Sequence, residues 1–109
     1  MAEAFKRLAQ GYFASSSAKL YDVPSSTEGI IKAINISNNT GTAREVTLYH
    51  CDNGDTPDNE QVILPGVSIV AGGFAEWEGT LTMAALTELY GFAAAAGVIT
   101  YTIWGLEIS

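Results

Sequence analysis

Short runs of β-branched and aromatic residues recur along this chain, and between them stand clusters of Gly, Pro, Asn, Asp and Ser. That punctuation constrains the fold more than any single residue does. The stretch from Leu20 to Asn39 shows it best. Two apolar runs, Leu20 to Val23 and Ile30 to Ile36, are separated by Pro24-Ser25-Ser26-Thr27-Glu28-Gly29. Turn residues between β-branched runs signal a strand, a turn and a strand. In the second run Ile30, Ile34 and Ile36 are expected on one face, with Ala33, Asn35 and Ser37 on the other. Side chains change face at every residue of a strand, so this pattern suits a half-buried strand.

The same reading extends along the chain. A first strand is expected from Phe5 to Tyr12, with a helix from Ala2 to Gln10 as the alternative, since Ala, Glu, Lys, Arg and Leu favour helices. Ala14 to Ser17 reads as a loop. The Asn38-Asn39-Thr40-Gly41 turn holds residues that tolerate left-handed backbone angles. From Glu45 to Cys51, Val46 and Leu48 face one side and Glu45, Thr47 and Tyr49 the other. Asp52 to Gln61 is the longest polar loop. Val62 to Val70 contains Pro65-Gly66, and proline cannot donate to a ladder, so a bend, a bulge or an edge strand is expected there.

After the Ala71-Gly72-Gly73 turn, Phe74 to Met83 has the clearest period of two. Ala75, Trp77, Gly79, Leu81 and Met83 face one way, and Glu76, Glu78, Thr80 and Thr82 the other. Ala84 to Ala96 could form a helix, but Gly91 and the aromatic after it favour a turn and a strand from Leu89 to Ala93. Val98 to Ile108 is a strand, with Ile99, Tyr101 and Ile103 directed to the core. The spacing predicts an all-β fold, an antiparallel β-sandwich of about eight strands, for which the jelly roll is a candidate topology.

A chain of 109 residues, 48% hydrophobic, is long enough for one ordered domain over residues 1–109. Its core is small, which makes oligomerisation a natural further source of stability. No run of about 18 apolar residues offers a membrane span, and MAEAFKRLAQ lacks the pattern of a secretory signal. Assembly in a cytoplasm is therefore expected. Cys51 is the single cysteine, so it forms neither an internal disulfide nor a cysteine zinc site, and reads as a small buried group.

The net charge of −7 argues against nucleic acid and anionic membranes as partners. Its distribution is uneven. The first 44 residues hold five basic and three acidic residues, a net +2, whereas Glu45 to Ser109 hold nine acidic residues and no Lys or Arg, a net −9. Solvated surface explains this equally well as a functional reading, in which the basic segment 1–13 is an arm laid across an acidic neighbour. Phe5, Lys6, Arg7, Tyr12 and Phe13 are its candidate interface residues.

Candidate chemistry is sparse. His50 stands next to Cys51 on a strand, where neighbours point to opposite faces, and no Gly-x-Ser-x-Gly elbow is present. Asp52, Asp55, Asp58 and Glu60 offer carboxylates suited to calcium, without the spacing of an EF-hand; a solvated loop is the default reading. Glu76 and Glu78 sit roughly 7 Å apart on one strand face, with no cleft to separate their pKa values. Trp77 reads as core. Trp104, Tyr49, Tyr90 and Tyr101 could line a sugar platform, or serve as core or subunit interface. No cofactor, no metal and no enzymatic activity is expected.

Several segments together resemble a known family. LAQGYF, LYDVP followed by a polar turn and IIKAINISNNTG, VTLYH, ILPGVSIVAGGFAEWEGTLTM and VITYTIWGLEIS are similar to small tailed-bacteriophage virion proteins. The resemblance runs from about Leu8 to Ser109. It implies a head-decoration (cement), neck or fibre-base β-sandwich that assembles as a homo-oligomer, often a trimer, and binds the major capsid protein or other virion proteins. It carries no catalytic residues. The chain departs from the pattern in its long acidic loop from Asp52 to Gln61.

Overall fold

The alternation of apolar and polar residues is realised as eight strands in a computed structural model that describes residues 3–52, 54–94 and 99–108. They are β1 (Glu3–Tyr12), β2 (Ala18–Asp22), β3 (Glu28–Asn38), β4 (Arg44–Cys51), β5 (Val62–Ile69), β6 (Phe74–Met83), β7 (Glu88–Ala93) and β8 (Ile99–Ile108). A 3-10 turn, Asn59–Gln61, precedes β5. One sheet has the order β1-β8-β3-β6 and the other β2-β7-β4-β5, with every neighbouring pair antiparallel. Every connection except that from β4 to β5 carries the chain from one sheet to the other. This is the eight-stranded jelly roll. The alternative helix over Ala2–Gln10 does not form: residues 3–10 pair with β8, and tertiary pairing overrides a weak local propensity. Val98, the expected first residue of the last strand, lies outside the described residues.

Between the sheets lies one core. Val46 and Leu48 enter it from β4, Ile99, Tyr101 and Ile103 from β8, and Leu89 and Ala93 from β7, as alternation requires. On β6, Met83 is buried, Ala75, Trp77 and Leu81 pack partly against the core, and Gly79 is open to solvent. Trp77 is therefore a rim residue of the core rather than its centre. β5 is an edge strand whose register against β4 breaks on either side of Leu48, and Gly66 takes a φ of 52° beside Pro65.

β3 departs from the sequence expectation. Ile31, not Ile30, joins Ile34 and Ile36 in the core. Between Ile31 and Ala33, β3 takes two steps where β8 takes one, and this extra residue reverses the phase of its side chains; against β6 the register shifts at the same place with the additional residue on β6. Across from this bulge stands Gly105, where an added Cβ would lie 2.0 Å from the Ile30 carbonyl oxygen. β1 slips at the same level, between Arg7 and Ala9.

The turns also differ in detail. Positive φ angles at non-glycine residues fall on Ser26 and Leu86, not on Asn38 or Asn39. Asn38 is instead fully buried. Its amide nitrogen donates to the carbonyls of Thr42 and Ile69, both at 2.9 Å. Its amide oxygen accepts from the Thr40 backbone N–H at 3.0 Å and the Thr40 hydroxyl at 2.6 Å. All four hydrogen-bonding positions of the amide are used. The Asn38 backbone N–H donates to Gly73 and the Gly72 N–H to Thr40, which locks the β3–β4 turn onto the β5–β6 turn.

Candidate assembly surfaces

Residues 3–12 form the edge strand of the first sheet. Phe5 lies on β1 opposite Leu106, and its side chain is outside the described part. Lys6 pairs with Glu107 at 3.0 Å, and the Arg7 guanidinium donates to Gln10 at 3.0 Å. Tyr12 is 66% exposed. Phe13, by contrast, is 1% exposed and packs on Tyr101, with ring centroids 5.1 Å apart. Adjacent residues of a strand point to opposite sides, so Tyr12 faces outward and Phe13 enters the core. Phe13 is therefore removed from the candidate interface.

The uneven charge has an internal partner. The topology sets early strands beside late ones, β1 against β8, β2 against β7 and β3 against β6. Lys6 meets Glu107, Lys19 meets Glu88 at 3.0 Å, and Lys32 donates to the Thr80 hydroxyl at 2.9 Å. Glu88 is buried by this contact and by the Gly54 N–H, which donates to it at 3.4 Å. Its hydrogen bond and charge raise the Lys19 pKa.

Glu107 sits at one end of the sandwich. The Tyr21 hydroxyl donates to it at 2.5 Å. That hydrogen bond, with Lys6 adding to it, holds the Glu107 carboxyl below its ordinary 4.5. Burial, and then Glu107 itself, push the Tyr21 phenol upward. A depressed carboxyl binds fewer protons in the folded chain than in the unfolded one, so its contribution is complete above 4.5 and lost as pH falls through the folded value. Glu107→Gln is therefore expected to lower the melting temperature near neutrality and to narrow its difference from the parent in acid. Melting curves across that window check it; a constant difference at every pH would contradict the linkage.

The acidic loop is held by its own chain. Gln61 donates to the Asp55 carboxylate at 3.1 Å and accepts from the Asp58 N–H at 3.1 Å. Beneath it Cys51 is buried, with its thiol 3.5 Å from the Gln61 amide oxygen. Burial raises the Cys51 pKa, which disfavours the reactive thiolate. Among the described residues, no group of three or more His, Cys, Asp and Glu side chains gathers into a metal-sized cluster, at Asp52, Asp55 and Asp58 or elsewhere. His50 is half-buried on the other side of β4, and burial lowers its pKa.

The four candidate platform aromatics do not form one surface, although Tyr49 and Tyr90 come together. Tyr101 is in the core. Tyr49 and Tyr90 are cross-strand partners on the outer face of the second sheet, where Tyr49 stacks on Phe92. Trp104 lies on the outer face of the first sheet, 42% exposed. Glu76 and Glu78 are exposed on β6, the far edge of that sheet. The residues that sequence reasoning missed are Val70 and Phe74, which flank the β5–β6 turn at 66% and 70% exposure. An apolar pair beside Gly-Gly is ordinary core composition, and only the strand ends reveal that these two point outward.

No protein-family model matches the chain, and no curated protein does. Solved structures do. A subunit of Bacillus endospore appendages, which form disulfide-linked pili, is similar over 98% of this chain and 88% of its own, at 16% identity and a TM-score of 0.58. A chain from the capsid of Helicobacter pylori bacteriophage KHP30 is similar over 100% and 89%, at 10% identity and 0.56. The coat protein of Tobacco streak virus is similar over 98% and 86%, at 7% identity and 0.56. At these identities the likeness is one of fold, and it spans nearly the whole of each chain.

Proposed function

We propose that the protein is a structural subunit of a virion that self-associates, as a trimer or another homo-oligomer, and binds the major capsid protein as a decoration or cement subunit. Its action is physical: apolar surface left open on the single chain is buried between copies and against the particle. The observation that carries this reading is the set of large exposed side chains, Tyr12, Val70, Phe74, Leu86 and Trp104, on a sandwich whose core is already filled without them. The capsid and coat proteins that share the jelly roll support it. The exposed aromatics are spread across the outer face of the first sheet, Tyr12 and Phe74 on its opposite edge strands and Trp104 two rows away, which disfavours a sugar platform.

Particles assembled without this protein provide the test. Adding the purified chain is expected to raise the temperature at which they release DNA, with labelled protein found over the head. Failure to bind any part of the particle would overturn a virion role. Binding confined to the neck, tail or fibre base would replace the decoration reading with its nearest competitor.

A further inference from the structure

We infer that copies of this chain join head to tail through the two edges of the first sheet, β6 of one copy pairing with β1 of the next. The register sets Phe74 beside Tyr12 and Glu78 beside Arg7. This deepens the self-association reading above and rests on it.

The edges of the two sheets differ. Within the described residues β1 pairs only with β8, and β6 only with β3, so each strand has one rim of backbone N–H and C=O groups without a strand partner. Both strands are ten residues long. A long unpaired edge is a ready template for another strand. The second sheet is guarded: β2 has five residues, and β5 carries Pro65 and two breaks in register. Short strands, proline and bulges blunt an edge. β1 and β6 are twice as long as β2, contain no proline and show one register break each, so the more open edges belong to the first sheet.

The strand directions permit the contact without turning a copy over. β1 and β3 are each antiparallel to β8, and β6 is antiparallel to β3. Hence β6 runs opposite to β1. A copy displaced across the sheet presents its β1 antiparallel to the β6 of its neighbour, and an eight-strand sheet results with its alternation intact.

The register follows from rows already fixed inside one copy. One row across the outer face reads Tyr12, Thr100, Ser37, Phe74. The next reads Gln10, Thr102, Asn35, Glu76, and the one after it Arg7, Trp104, Ala33, Glu78. Continuing each row into the next copy places Phe74 against Tyr12, Glu76 against Gln10 and Glu78 against Arg7. The register slip in β1 is what makes Arg7, rather than Leu8, the end of the third row. Phe74 and Tyr12 are 70% and 66% exposed, and aromatic cross-strand pairs stabilise sheets. Arg7, Glu76 and Glu78 are exposed and enter no ion pair among the described residues. One register thus satisfies an aromatic pair and a charge pair together.

Charge also selects against the competing contacts. Two β6 edges would bring Glu76 and Glu78 of both copies together, and two β1 edges would gather the Arg7 side chains of both copies. Like charges opposite one another are unfavourable, so the mixed contact is preferred. Such a head-to-tail contact closes into a ring or continues as a filament.

Single variants Tyr12→Cys and Phe74→Cys of the full chain test it directly. Buried Cys51 stays in place, with the parent protein as its control. Mixed and treated with a short bismaleimide, the two variants should give a covalent dimer that neither gives alone. Within one copy the two positions are three strand spacings apart, about 14 Å, so a double variant should yield a ladder of multimers. Arg7→Glu and Glu78→Arg should each shift the assembly to single chains by light scattering, and mixing the two should restore association. An assembly that forms but gives no mixed cross-link and is unchanged by Arg7→Glu overturns the edge contact while leaving self-association standing. A parent protein that stays a single chain at every concentration overturns both.

Discussion

Gly105→Ala should destabilise the fold by about 3–5 kcal/mol, a large share of the roughly 5–15 kcal/mol that holds a domain of this kind together. The added methyl would meet the Ile30 carbonyl oxygen at 2.0 Å, its carbon at 3.0 Å and the Ile31 Cα at 3.1 Å. All three are backbone atoms of the neighbouring strand, so no side-chain rotation relieves the clash. β3 would have to move away from β8 at the level where it already carries its extra residue. Chemical denaturation provides the measurement, with Gly41→Ala as the control. Gly41 has nothing within 4 Å of an added Cβ, and its change should fall within about 0.5 kcal/mol of the parent.

Asn38→Ala should cost about 2–4 kcal/mol, because it removes one buried amide and the four hydrogen bonds it makes. The Ile69 carbonyl loses its donor in a buried setting and the Thr40 N–H loses its acceptor, while the Thr42 carbonyl and the Thr40 hydroxyl keep each other at 2.9 Å. The damage should be local before it is global. The β3–β4 and β5–β6 turns are fastened together by Asn38 and by the Gly72 N–H to Thr40 carbonyl bond. Hydrogen exchange at Gly72 should therefore accelerate by more than the loss of global stability explains. Exchange that tracks global stability alone would show that the amide fills space and does not fasten the turns.

The legible part of this fold was the part written at single-residue resolution. A strand with one wet face alternates at every position, so Val46 and Leu48, Ile99 to Ile103, and the two faces of β6 could be assigned from residue type. The phase reversal in β3 could not. Nothing local to Ile31, Lys32 and Ala33 marks an extra residue; the bulge lies against Gly105, far along the chain. The same limit applies to charge. The asymmetry between early and late residues was visible, but the strand order that joins Lys6 to Glu107 and Lys19 to Glu88 is a property of the topology. Tyr12 and Phe13 differ little as residues, and only the end of β1 separates a surface side chain from a core one.

The candidate surfaces were legible to a lesser degree. Arg7, Tyr12, Glu76 and Glu78 stood out from the sequence for separate reasons. The cross-sheet register gives them common rows, and it adds Phe74, which alternation alone had left without a role.

Sedimentation equilibrium of the unmodified chain over about a hundredfold range of concentration tests self-association most directly, because a subunit contact makes apparent mass follow mass action. A structural subunit should give a mass that is a multiple of 11.5 kDa and falls towards it on dilution or in high salt. A mass of 11.5 kDa at every concentration and salt would contradict a self-assembling role.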